Sequence, residues 1–305
     1  MNRGPSSKKL KQGPTLHLVG ESSADEFLRI RIVGIGAFGE RMSHELQSRN
    51  LAEQLPNATV YFDTIALGVL TQYEEVMGSK TDEHIRIGIV ELGRTTLDSF
   101  GWMFESPRSS IPPLSVGFFV VPFSGPKRDS AHRELQLLET LFDVSIVLDP
   151  MDFECWRDSA EKGDSEQLEN SYFEEISQTI LLWGRSVGNS SIVSFDFEDM
   201  HDIFRRAGKM NRSRGMAFDD ATSSETAERA MTAALAFANI TESRALLAVI
   251  SSLPELGQLD NFRAARKRLY DNCSPCSTVL MSHVVDFTVP KGVVQADVWY
   301  FAGSN

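Results

Sequence analysis

The stretch Arg29–Leu46 reads RIRIVGIGAFGERMSHEL. A β-prone run, Phe27–Ile35, enters a glycine turn, Gly34-x-Gly36-x-x-Gly39, and a helical pattern leaves it over about residues 40–54. Strand, glycine turn and helix in that order open a parallel α/β sheet. Glycines let the backbone turn tightly and approach a pyrophosphate, while helix N-terminal amides face the anion. Asp63 ends the next strand, 24 residues after Gly39. A dinucleotide-binding fold places there the acid that takes the ribose hydroxyls. By themselves Gly34, Gly36, Gly39 and Asp63 are as compatible with NAD as with a purely structural turn. Two neighbours argue against phosphate. Glu40 is expected in the first helical turn, where its charge suits the helix dipole in place of an anionic ligand. Phe38 is expected to occupy the same space.

Outward from this stretch, strands and helices alternate. Ala58–Thr64 reads as a strand, 67–77 as helical, His84–Leu92 as a strand. Pro113–Phe123, PLSVGFFVVPF, is nearly continuous in apolar residues, as in a strand buried on both faces. A helix over 129–142 and a strand over Asp143–Asp149 follow. Short connections between alternating elements predict a doubly wound parallel sheet. Residues 168–187 carry Phe173, Ile176, Ile180, Leu181 and Trp183 at helical spacing and predict a long helix. Beyond it come a helix over 196–207, a strand-like GMAFDD, a small-residue helix over 223–238, SRALLAVISS, a helix over 260–272 and two strand runs. The last two runs flank Pro290-Lys291-Gly292 and predict adjacent antiparallel strands. The expected fold class is therefore α/β: a doubly wound parallel domain over 27–165, a central helix over 166–190 and a smaller α+β domain over 191–305, with 1–26 a disordered basic arm.

Composition narrows the function. The chain has 305 residues, 42% hydrophobic and 24% charged, with a net charge of −12. A body this acidic is not expected to bind nucleic acid through broad electrostatics. No apolar run approaches the roughly 18–20 residues needed to cross a bilayer. The polar, basic N-terminus has no signal core. Three cysteines, Cys155, Cys273 and Cys276, are too few for a disulfide scaffold, so a reducing cytoplasm is the expected setting. Cys273-Ser-Pro-Cys276 lacks the second pair that zinc requires, and no metal site is expected. Arg3, Lys8, Lys9 and Lys11 are expected to make the arm a solubilising tail, or a basic anchor for a membrane-associated partner or an anionic membrane surface.

The order of four segments resembles the FtsZ/tubulin superfamily. They are RIVGIGAFGERM, PLSVGFFVVPFSGPKR with LFDVSIVLDP after it, SIVSFDFEDMHDIF, and SRALLAVISS with the final strands. The likeness runs from Phe27 to Gly303 and carries the order and spacing of the elements rather than any one motif. It implies GTP or GDP with magnesium between the glycine loops, and head-to-tail contacts with itself or with an FtsZ-type protein. The departures are specific. The family's G-G-G-T-G-T-G phosphate loop reads GRTTLDSFGWMF here, keeping Gly93 with Thr95 and Thr96 nearby, while Trp102, Met103 and Phe104 look like packing residues. Phe173 stands where the family reads guanine with a polar residue. The loop resembling the family's synergy loop keeps both acids, Asp196 and Asp199, and has Ser194 for the asparagine. In the family such acids position the water that attacks the terminal phosphate in the neighbouring subunit. Without the family, they read as first-turn acids of a helix. Lys127 and Arg128 read as solvated, and Met200, Met210 and Met216 as core. No counterpart of the family's flexible C-terminal linker and peptide is expected.

The expectation is a divergent FtsZ/tubulin-like cytoskeletal or membrane-remodelling protein, cytoplasmic or membrane-associated through partners, with GTP binding and hydrolysis lost or very weak and no cofactor. The alternatives are a slow GTPase or NAD-type enzyme using the glycine loop, and a non-polymerising adaptor that keeps the fold as scaffold.

Overall fold

A computed structural model describes residues 28–65, 83–93, 112–122, 126–152, 165–187, 191–205, 207–219, 224–236, 238–254, 258–275 and 277–301. The expected helix at 67–77 and the residues from Thr95 to Phe104 lie outside this set, as do Cys155 and Cys276. Among the described residues, no helix is long and apolar enough to cross a membrane.

The first half is built on β1 (Leu28–Ile35), β2 (Ala58–Ile65), β3 (Ile85–Glu91), β4 (Leu114–Val120) and β5 (Val144–Leu148). All are parallel, in the order β2-β1-β3-β4-β5. Their alternation feeds two cores, because successive side chains point to opposite faces. Ile30, Ile32, Ile87, Ile89 and Phe118 pack into one core, and Val33, Ile35, Val90 and Phe119 into another. Helix α1 (Gly36–Ser48) covers the first face with Phe38, Met42 and Leu46, one helical turn apart. Helix α2 (Pro126–Leu138) covers the opposite face with Ala131, Leu135 and Leu138. It starts and ends earlier than the sequence suggests.

Helix α3 (Ser165–Ser186) lies on the α1 side. Its Tyr172, Phe173, Ile176, Ile180 and Trp183 belong to a core that also takes in Leu247, Val249 and Trp299 from the far half of the sheet. The far half comprises β6 (Ser191–Val193), α4 (Phe197–Phe204), β7 (Gly208–Phe218), α5 (Ser224–Leu235), β8 (Ala245–Ser252), α6 (Gln258–Tyr270), β9 (Thr278–Val285) and β10 (Val293–Phe301). GMAFDD turns out to be the end of the much longer β7. β7 also pairs with β5, which makes one ten-stranded sheet in the order β2-β1-β3-β4-β5-β7-β10-β8-β9-β6.

The two last strands are not neighbours, which corrects the hairpin expected around Pro290-Lys291-Gly292. β10 pairs with β7 and β8, and β9 lies beyond β8. Residues 286–292 therefore cross the end of β8 instead of closing a hairpin, and the turn at Pro290–Val293, where the Val293 N–H donates to the Pro290 carbonyl oxygen at 3.1 Å, only leads the chain into β10. Asp286 organises that crossing: its Oδ1 accepts hydrogen bonds from the N–H and Oγ1 of Thr288, and its carboxylate pairs with Arg185 of α3 at 3.3 Å.

The small-residue helix has a packing reason. A Cβ at Gly215 of β7 would come within 2.2 Å of the Ala230 carbonyl oxygen and the Ala234 nitrogen. Helix α5 thus lies with its backbone almost on the sheet, and Ala227, Ala230 and Ala234 are the residues that fit beneath it.

Candidate functional site

The parallel strands give the molecule two unlike ends. At their carboxyl ends, β1 is flanked by β2, which follows it, and by β3, which starts the walk in the other direction. Parallel sheets bind ligands in the crevice at such a reversal. Gly34, Gly36 and Gly39 meet there, but two of them serve packing. A Cβ on Gly34 would lie 2.1 Å from the Gly39 carbonyl oxygen, and one on Gly39 would lie 2.2 Å from the Ile89 carbonyl oxygen. Helix α1 is pressed onto β1 and β3 through these two positions. Gly36, at φ 69°, supplies the left-handed turn into the helix.

Two expectations about this loop are corrected. Helix α1 starts at Gly36, so its first turn contains no acid, and exposed Glu40 falls in the second turn. Phe38 does not fill a ligand space: it is buried in the core, edge-on to Tyr172 at 6.2 Å between ring centres. The N-cap residue Ile35 makes no side-chain cap, so no described side chain caps the first amides of α1. Arg41 is held by Glu169 of α3 at 2.8 Å.

The other candidate positions have partners within the fold. Gly93, at φ 88°, donates its N–H to Glu134 Oε2 of α2 at 2.6 Å. A carboxylate from within the fold thus occupies an amide that a phosphate loop would turn toward its ligand. Phe173 is buried, with the Arg49 guanidinium 4.0 Å from its ring centre. Arg49 also pairs with Glu45 and Glu174. Asp63 is not left for a ribose. Its carboxylate is 3.1 Å from buried Arg31, which also pairs with buried Glu83 at 2.6 Å. Burial pushes the Asp63 carboxyl above its ordinary value, Arg31 opposes this, and Glu83 adds to it. Arg128 is not free in solvent either, since it pairs with Asp149 at 2.6 Å.

The opposite end carries Ser194, Asp196 and Asp199. Asp196 is the N-cap of α4, its Oδ1 accepting the Asp199 N–H at 2.8 Å. Helix α4 sits beneath the amino ends of the parallel strands: Phe197 packs on His84, just before β3, with ring centres 5.0 Å apart. A ring nitrogen of His201 lies 3.1 Å from the Pro112 carbonyl oxygen, just before β4. Asp199 and Asp202 line a cleft of about 370 Å³ between α4 and the first residues of β8 and β9. Met200 and Met210 are core, whereas Met216 is 59% exposed, contrary to expectation.

The fold thus brings Gly34, Gly36, Gly39 and Gly93 to one end and Ser194, Asp196 and Asp199 to the other. β3, seven residues long, separates them by about 23 Å. Sequence reasoning missed Glu134, Arg31 and Glu83. Arg31 and Arg86 did carry a signal, being charges inside apolar strands.

The chain matches no family model and no curated protein. It does match solved structures. With an empty FtsZ dimer from M. jannaschii it shares 16% identity at a TM-score of 0.70, over 90% of this chain and 88% of that one. With CetZ1 from Haloferax volcanii, a GDP-bound monomer, the values are 15% and 0.64, over 91% and 95%. With TubZ from Bacillus thuringiensis serovar israelensis, in GDP-form protofilaments, they are 10% and 0.59, over 92% and 87%. At such identities the likeness is one of fold, and the fold of this chain is an α/β fold related to that of the FtsZ/tubulin GTPases.

Proposed function

We propose that this chain is an FtsZ/tubulin-like subunit of a cytoskeletal or membrane-remodelling assembly, working through head-to-tail contacts with itself or with an FtsZ-type protein, and that its GTP binding and hydrolysis are lost or very weak. The observation that carries this reading is the polarity of the molecule. The glycine turns and the Asp196/Asp199 helix lie at opposite ends of the same parallel strands, as stacking of one subunit on the next requires. The solved TubZ structures of this fold include protofilaments, and one FtsZ structure is a dimer. Loss of nucleotide binding is supported by the Gly93 amide bonded to Glu134, by Arg49 stacked on Phe173, and by Asp63 paired with Arg31.

Co-sedimentation with an active FtsZ and GTP tests the contact. The reading expects a change in polymer mass or turnover that Asp199→Ala abolishes; no change with either protein refutes it. A second reading, a remodelled nucleotide site, is favoured by the first turn of α1, which has no acid and no side-chain cap. Thermal shift with GTP, GDP, ATP and NAD, each with magnesium, separates the two. A ligand at 100 times its dissociation constant would add about 2.7 kcal/mol of stability, and the pseudo-enzyme reading expects none.

A further inference from the structure

Strand β7 is paired along one side and for only part of the other. It meets β10 over Met210–Phe218, but β5 only at Gly208, Lys209 and Met210. Hydrogen bonds at its two ends show which residues turn toward the β5 side. The Gly208 N–H donates to the Asp143 carbonyl oxygen, just before β5, and the Asp219 N–H donates to the Gly292 carbonyl oxygen, just before β10. Backbone groups alternate between the two sides of an antiparallel strand. Arg214, Met216 and Phe218 therefore direct theirs to the β5 side, where no described strand pairs with them. At Arg214 the last pairing with β5 is four residues back, about 13 Å. The Phe218 carbonyl oxygen accepts from Arg229 of α5, and a carbonyl can accept twice.

The side chains of this edge are accessible too. Arg214 and Met216 are exposed, and Phe218 is 62% exposed. The Phe218 ring leans over Gly292, where a Cβ would lie 3.2 Å from it. Phe287, 77% exposed, lies in the crossing that leads to the same point. A bilayer suits this place poorly. Hydrocarbon offers nothing to backbone N–H and C=O groups, and Asp219 adjoins Phe218 in a chain of net charge −12, which disfavours anionic lipid. An edge with apolar side chains and unpaired backbone is a template for another strand.

The edge complements its own copy. Set antiparallel about Met216, Arg214 of each copy falls opposite Phe218 of the other, cation against aromatic ring, and Met216 opposite Met216. The basic half of each strand then faces the half of the other that ends in Asp219. This register uses the exposed residues and leaves out Arg212, whose side chain is buried. We infer that two copies of the chain pair edge to edge through β7, about a twofold axis at Met216. Pairing stands independently of assembly. Its consequence, that it joins head-to-tail assemblies running in opposite directions, rests on the head-to-tail reading.

Sedimentation equilibrium of the full chain, with neither FtsZ nor nucleotide, tests the pairing. The mass should rise to twice that of one chain with concentration. Met216→Lys sets two like charges on the axis at an exposed position, and should hold the chain monomeric with its urea midpoint unchanged. Met216→Cys, oxidised with copper phenanthroline and mapped by mass spectrometry, should link residue 216 to residue 216, since directly paired Cα atoms lie about 5.5 Å apart, within disulfide reach. A chain that stays monomeric, a dimer indifferent to Met216→Lys, or Met216→Cys that links only to native cysteines overturns the inference. So does a monomer that binds phosphatidylserine vesicles through Phe218. If the dimer responds to Met216→Lys while co-sedimentation with FtsZ shows nothing, pairing stands and the assembly reading fails.

Discussion

Gly39 has no room for a side chain, because the Ile89 carbonyl oxygen and the Gly34 backbone already fill the position. Both neighbours are backbone and cannot rotate away. Gly39→Ala is expected to cost about 1–3 kcal/mol or more through overpacking, read as a lower urea midpoint without any ligand present. His283 is a second residue whose surroundings decide its chemistry. Its Nε2 lies 3.0 Å from Ser252 Oγ, and both residues are buried between β8 and β9. Burial lowers its pKa from 6.5 to about 4, partly opposed by a backbone hydrogen bond at Gln258. The folded state therefore favours the neutral ring. Its contribution is complete above the unfolded value of 6.5 and is lost as pH falls toward 4, for a total of about 3 kcal/mol. Urea midpoints measured across that window should fall as the pH drops, and the His283 ring should stay neutral by NMR down to about pH 4.

At the scale of elements, α3 is joined to the far half of the sheet by charge as well as by apolar packing. Arg212 of β7 reaches Glu175 of α3 at 2.8 Å and fully buried Asp297 of β10 at 2.7 Å. Arg214 also reaches Asp297, at 2.9 Å, and donates to Gln178 of α3. Burial alone would raise the Asp297 carboxyl, but Arg212 and Arg214 hold it below its ordinary value. Asp297→Ala would leave Arg212 buried with one anion fewer, and is expected to cost about 3–5 kcal/mol in chemical denaturation. The cap of α4 is smaller in scale. Asp196→Ala should remove about 1 kcal/mol, and this loss should add in full to that of Gly39→Ala, because the two residues lie at opposite ends of the sheet. Denaturation of the double variant checks that additivity.

For the whole molecule, two ends of unequal quality predict an unequal partner. If the Asp196/Asp199 end engages an active FtsZ while the glycine end offers no nucleotide, the next subunit cannot add. Sub-stoichiometric amounts should then shorten FtsZ polymers rather than copolymerise in proportion. Polymer lengths by electron microscopy check this, and unchanged lengths with one-to-one incorporation would show two working ends.

Strand β4 was legible in the sequence because a strand buried on both faces reads as a nearly continuous apolar run, β1 and β3 because their branched apolar residues recur around Arg29, Arg31 and Arg86, and α3 because its apolar residues keep one helical face. The order of these elements was enough to suggest the fold. What stayed hidden depends on residues far apart in the chain. Pro290-Lys291-Gly292 looks like a hairpin turn locally, and only the placement of β8 between β9 and β10 rules that out. Phe38 is apolar in either reading, and Tyr172 of α3 decides that it faces the core. Glu134 reads as an ordinary helix-surface acid until the fold brings it to Gly93, 41 residues away. Periodicity and glycine placement are local properties, set by backbone geometry, and the sequence alone determined them. Which amide meets which carboxylate, and which surfaces lie at opposite ends, depends on long-range packing, and only the tertiary structure decided it.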